Sequence, residues 1–155
     1  MWKKIGLVVL GLVAGFILGV ILSMSYFGHT LAIGMFTLQE KEIYNQGQAA
    51  EDAFYSEPNE IAAWALTKHI KTLNELKEER RSAKVTNPYF ILTPDADLFL
   101  SHARLGKIYK QMGKADESKY HFEQAIIYKK CPGFTEEDCM KFLDAMDKAH
   151  SKNVE

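Results

Sequence analysis

The longest apolar stretch of the chain runs from Ile5 to Phe27 and contains no formally charged residue. At about 1.5 Å per residue, a helix of this length crosses a hydrocarbon core of roughly 30 Å. Lys3 and Lys4 precede the stretch, whereas Ser25 to Gln39 contains neither Lys nor Arg. The pattern predicts a single-pass membrane protein with a cytoplasmic N-terminus and a periplasmic or otherwise extracytoplasmic C-terminal domain.

A cleaved signal peptide is the competing interpretation, because such peptides also begin with basic residues and an apolar run. This run exceeds the roughly 7 to 15 residues that are usual for them. No A-x-A-like cleavage site closes it, and Ser23-Met24-Ser25 is the nearest match. The pattern favours a retained anchor, although cleavage stays open, and both interpretations export the C-terminal part.

Three glycines, Gly11, Gly15 and Gly19, recur every fourth position within this stretch. They leave a groove on one helix face where a second helix can approach closely. The spacing predicts helix packing there, either as self-association or as docking to a larger membrane complex. Glycine is also common in membrane helices in general, so chance is the alternative.

The chain from Gln39 onward has apolar residues three and four positions apart, with polar residues between them, which is typical of amphipathic helices. The fold class predicted is therefore all-α. Three regions follow from the pattern: a cytoplasmic stub with a transmembrane helix (1–28), a juxtamembrane helical segment (29–57) and a helical domain with a C-terminal cap helix (58–155).

The 155 residues include 19 basic and 20 acidic side chains, for a formal net charge of −1. A chain of this length holds one domain of ordinary size besides the anchor. Its charge is too balanced to attract nucleic acid, so no nucleic-acid partner is expected.

Residues 102–130 predict two helices that meet at a short turn and therefore lie antiparallel. Seven positions carry a recognisable pattern: Leu105, Gly106, Tyr109, Gly113, Ser118, Phe122 and Ala125. This pattern resembles the tetratricopeptide repeat (TPR), a helical hairpin of about 34 residues. The resemblance implies that Gly106 and Ser118 allow close helix approach, and that Phe122 and Ala125 receive the next helix.

The sequence departs from the repeat in two ways. The proline that usually follows the second helix is displaced to Pro132, and the upstream helices keep the pattern only faintly. The helix predicted from Thr135 to His150 resembles the cap helix that ends such arrays. Because about three repeats are usually needed to bury a core, the upstream helices or a partner must complete this one.

The resemblance implies a protein-interaction function, as a membrane-anchored scaffold or assembly factor. The inner surface of the helical pairs would bind the partner, and its candidate residues are Ser101, His102, Arg104, Lys107 and Lys110. Ordinary solvent exposure is the alternative explanation for these residues. The alternative function is a small structural or accessory subunit of a larger membrane complex, docked through the glycine-lined helix.

Cys131 and Cys139 are the only cysteines. In an exported domain such a pair is expected to form a disulfide bond, because the compartment is oxidising. A zinc site that adds His121 to the cysteines has poor ligand spacing. No nucleophile, metalloprotease, Walker or dinucleotide motif occurs. We therefore expect no enzyme activity, no catalytic residue, no metal and no cofactor.

Overall fold

The computed structural model describes residues 2–82 and 94–154, with side chains from Gly15 onward apart from 29, 32, 33, 36, 82, 153 and 154. The helices are α1 (Trp2–Ser56), α2 (Asn59–Ser82), α3 (Pro94–Gln111), α4 (Ala115–Lys129) and α5 (Glu136–Val154). No strand occurs in the described ranges, and the all-α prediction is confirmed.

The chain divides into two compact units, Met1–Lys41 and Glu42–Glu155. The second unit thus begins within α1, well before the domain start at residue 58 suggested by the sequence. Ile43 and Ala50 of α1 account for this difference, because they are 2% and 1% exposed and pack against α2 and α3.

The predicted membrane localisation requires correction. Among the described residues, no helix is long and apolar enough to cross a membrane. The predicted anchor at residues 5–27 and the single-pass topology with an extracytoplasmic domain are therefore not supported.

The predicted packing groove on α1 is open. A Cβ placed on Gly15 or Gly19 meets no atom within 4 Å. Gly11 lies outside the residues whose surroundings are described. Large apolar side chains of the same segment are exposed, among them Phe16 at 74% and Met24 at 73%.

Local signals fix the ends of the C-terminal helices. Gly113 follows α3 with a φ of 73°, and the Lys114 amide donates a hydrogen bond to the Tyr109 carbonyl at 2.9 Å. Glycine adopts this left-handed conformation without steric cost, so it ends the helix. Before α5, Thr135 Oγ1 accepts from the Asp138 amide at 3.3 Å, and Asp138 Oδ2 accepts from the Thr135 amide at 3.0 Å. Thr135 and Asp138 thus form a capping box at the start of α5.

Two hydrophobic clusters lie against α3. The first joins α1, α2 and α3 around Leu66, Leu73 and Leu98. The second joins α3, α4 and α5 around Phe99, Phe122 and Leu143. As a result, every residue from Ser101 to Gly106 is buried. Helix α3 is the central element of the second unit.

Helices α3 and α4 approach each other closely at Gly106. A Cβ placed there would lie 2.9 Å from the Phe122 ring. Ser118 is 5% exposed, and its hydroxyl donates a hydrogen bond to the Gly106 carbonyl at 2.8 Å. Leu105 and Ala125 are fully buried, and Tyr109 packs against the first cluster. These contacts require a small residue at position 106.

The predicted disulfide bond is absent, because both cysteines are free. Cys131 is exposed, whereas Cys139 is buried in the second cluster beside Phe122 and Leu143. Burial raises the pKa of the Cys139 thiol to about 11, so the thiol stays protonated and unreactive near neutral pH. The argument for the bond relied on an oxidising compartment, and it loses that support with the localisation.

Candidate functional site

The five predicted partner-binding residues do not form an open surface. Ser101, His102 and Arg104 are 4%, 5% and 3% exposed, because α3 is covered by its neighbours. Lys107 Nζ lies 3.0 Å from Asp144 Oδ1 and 2.7 Å from Asp147 Oδ2, while Lys110 Nζ lies 2.7 Å from Glu136 Oε1. Both lysines are therefore paired with carboxylates of helix α5.

Arg104 is held by the C-terminal part of α1. Its Nη2 donates a hydrogen bond to Glu51 Oε1 at 2.7 Å. The guanidinium also lies over two aromatic rings, 5.2 Å from the centroid of Phe54 and 5.6 Å from that of Tyr55. Tyr55 in turn stacks on His150 of α5 at 3.9 Å between centroids. The guanidinium is thus held against α1, and Tyr55 connects this contact to α5.

An open cleft lies beside Arg104, between α1, α2 and α3, with a volume of about 230 Å³. We call it the Arg104 cleft. Its apolar lining includes Ile43, Tyr44, Leu66 and Leu100. Its polar lining consists of Gln48, Glu51, His69, Asp97, Ser101 and Arg104. Asp97, Ser101 and Arg104 share one face of α3, since they are four and three positions apart.

Two buried nitrogen atoms of this cleft, Arg104 Nε and His69 Nδ1, have no hydrogen-bond partner among the residues that the structure describes. Burial lowers the pKa of the His69 imidazole, and the Arg104 charge lowers it further. His69 is therefore neutral at neutral pH and presents one donor and one acceptor nitrogen. The cleft therefore contains the Arg104 cation, which is paired with Glu51, and the neutral imidazole of His69.

Asp97 is the carboxylate of the cleft whose negative charge is not balanced by a cation within the described ranges. Within the described ranges, no hydrogen bond or ion pair reaches it, and burial alone raises the pKa of its carboxyl. Glu51, by contrast, neutralises Arg104. With Asp97 ionised, the formal charge of the cleft is negative, because Arg104 and Glu51 cancel.

A second polar cluster joins α3 and α4. The Nδ1 atoms of His102 and His121 lie 2.9 Å apart, so one ring donates and the other accepts a single proton. Tyr109 stacks on His121 and Tyr128 stacks on His102. Charged groups also reach this cluster: Glu117 raises the pKa of His121, Lys77 lies over the Tyr128 ring at 4.8 Å, and Lys114 lies over the Tyr109 ring at 5.6 Å.

Burial and the neighbouring His121 lower the pKa of His102 to about 4. Burial also lowers the pKa of His121, against the opposing effect of Glu117. Both imidazoles are therefore neutral near neutral pH. A positive charge on either buried ring would lose its hydration and would be repelled by a charge on the other ring, so the pair resists charging.

Metal binding has no structural support in the described part of the chain, where no group of three or more His, Cys, Asp or Glu side chains is placed to hold an ion. Cys139 faces the hydrophobic cluster, away from any zinc site with His121. The absence of a cofactor and of enzyme activity stays a prediction from the sequence.

Comparison with protein-family models, with curated proteins and with solved structures gives no match. A functional assignment therefore rests on the geometry and chemistry of the chain itself.

Sequence reasoning missed Glu51, His69 and Asp97. Glu51 and Arg104 meet across 53 positions of sequence, so no local pattern links them. Asp97 could have been found from the sequence, because it shares a helix face with Ser101 and Arg104, which were predicted to bind a partner.

Proposed function

We propose that this chain is a protein-interaction or scaffold protein built on a TPR-like helical hairpin, and that the Arg104 cleft receives part of its partner. The observation that carries the proposal is this cleft, in which two buried nitrogen atoms without a partner in the described ranges lie beside an apolar floor. Binding sites commonly combine a mostly apolar lining with a few fixed polar groups.

The packing of α3 against α4 supports the resemblance. Gly106, Ser118 and Phe122 make the close helix contact that such a hairpin needs. Phe122 and Ala125 lie in one cluster with Leu143 of α5, which is the contact expected of a cap helix. Helix α2 and the end of α1 complete the core, as a single repeat requires.

The experiment places a photo-crosslinking amino acid at Gln48, an exposed residue of the cleft, in cells that naturally express the protein. We expect one discrete crosslinked protein from Gln48 and none from Glu123, an exposed position on α4. Charge reversal of Arg104 or Lys107 is unsuitable as a test, because it would break their internal ion pairs. Equal products from both positions, or none from Gln48, would contradict the proposal.

A second candidate function is an accessory subunit that docks through α1 onto a larger complex. The exposed apolar side chains of α1, which include Phe16, Ile21 and Leu22 at 74%, 57% and 67%, favour it. Contiguous exposed apolar surface usually marks an interaction site.

Gly15→Leu tests this second candidate, because a leucine would fill the open groove around Gly15 and Gly19. We expect the variant to lose copurification with the complex while it keeps the Gln48 crosslink. Ser25→Leu, an equally apolar change beyond the glycines, is the matched control and should copurify normally. Unchanged copurification of Gly15→Leu would rule out docking through the glycine face.

A further inference from the structure

The Arg104 cleft has a chemistry that selects among ligands, and this inference rests on the function proposed above. Its volume of about 230 Å³ is below the roughly 300 Å³ at which pockets for drug-sized molecules begin. The cleft is therefore suited to the end of a chain or to a single side chain.

Arg104 sets the first requirement. Its side chain is 4% exposed, its Nη2 is bound to Glu51, and its Nε has no partner in the described part of the chain. A guanidinium nitrogen donates hydrogen bonds and never accepts them. A ligand that completes this group must bring an acceptor oxygen to Nε.

Asp97 sets the second requirement. It lies on the same face of α3, and no cation or hydrogen-bond donor reaches it within the described ranges. The positive charge of Arg104 is already matched by Glu51. A ligand carboxylate would thus face an unbalanced negative charge, whereas a ligand ammonium would neutralise it.

A free amino terminus meets both requirements in one group, because its ammonium is followed by peptide carbonyl oxygens. Asp97 and Arg104 are seven residues apart, which is about 10 Å along a helix at about 1.5 Å per residue. An extended peptide advances roughly 3.5 Å per residue, so its first two residues reach about 7 Å along this line.

We propose that the Arg104 cleft binds the free amino terminus of a partner polypeptide, with the ammonium at Asp97 and the carbonyl oxygen of the second residue accepting from Arg104 Nε. The apolar floor of Leu66 and Leu100 takes the first side chain. His69 Nδ1, the other buried nitrogen without a partner, is left to a peptide N–H or carbonyl of the same segment.

The test titrates the full chain by calorimetry with the tripeptide Leu-Gly-Gly-amide and with its N-acetylated form. We expect saturable binding of the free amine and at least tenfold weaker binding of the acetylated peptide. Leucinamide serves as a third probe, because it has the amine but only one carbonyl. If it binds as tightly as the tripeptide, the cleft recognises a small amine and the chain-end proposal is overturned.

Asp97→Asn is the decisive variant, because Asp97 has no partner within the described structure whose loss would unfold the chain. We expect the variant to lose the preference for the free amine. Asp116→Asn, an exposed acid on α4, is the matched control and should keep it. Equal binding of both peptides, no saturable binding, or an unaltered preference in Asp97→Asn overturns the proposal.

The outcome separates this inference from the proposed function. A Gln48 crosslink that survives Asp97→Asn and excess tripeptide would leave the interaction function standing and reject the amino-terminus ligand. If the chain without Asp97→Asn gives no Gln48 crosslink, the interaction function at this cleft is rejected.

Discussion

Gly106→Val is expected to lower the free energy of unfolding by about 3 kcal/mol, because an added Cβ would lie 2.9 Å from the Phe122 ring. The ring itself is 1% exposed and has no free space to move into. Valine also carries two methyl groups that point into the same contact. Urea unfolding followed by circular dichroism measures the change.

Two controls isolate the helix contact. Gly15→Val adds the same atoms where nothing lies within 4 Å, so the unfolding midpoint of the second unit should not change. Phe122→Leu should partly rescue Gly106→Val, because a smaller side chain gives the valine room. If Gly106→Val matches the Gly15→Val result, the close approach of α3 and α4 is not as described.

Acidification is expected to destabilise the fold through His102. Its pKa is lowered from 6.5 to about 4 in the folded chain, so the folded state favours the neutral ring. The stabilisation that comes from the neutral His102 ring is therefore fully present above the unfolded-state pKa of 6.5. It is lost as the pH falls from 6.5 toward the folded-state pKa of about 4. Between about pH 7.5 and about pH 5 the loss from this one residue is about 2 kcal/mol.

Urea unfolding of the wild type and of His102→Gln at both pH values measures this contribution. The variant should lose about 2 kcal/mol less on acidification, because glutamine does not titrate. His69 and His121 also have lowered pKa values, so the variant keeps a smaller pH dependence. His150→Gln, an exposed histidine, is the control, and an identical pH dependence in all three proteins would contradict the role of His102.

The sequence predicted those features that depend on contacts between residues close together in the chain. Gly113 and the Thr135 and Asp138 pair end or begin helices through contacts within a few residues, so their spacing was sufficient. Gly106 and Ser118 lie only 12 positions apart in one hairpin, and the turn between them forces the helices together.

Long-range packing explains what could not be predicted. The burial of Ser101, His102 and Arg104 depends on α1, α2, α4 and α5 surrounding α3, which a pattern within α3 does not reveal. Cys139 was assigned to a disulfide from its compartment, although its four-residue spacing from Leu143 already placed both on one helix face. The localisation, predicted from the apolar run and the flanking lysines, was wrong, since no helix in the described ranges is long and apolar enough to cross a membrane.

Helix α3 gives residues to both hydrophobic clusters, and Tyr128 of α4 packs against each of them. Neither half of the second unit therefore has a complete interior of its own. Residues Glu42–Glu155 consequently form one cooperative folding unit, which cannot be cut at α3 into two independently stable pieces.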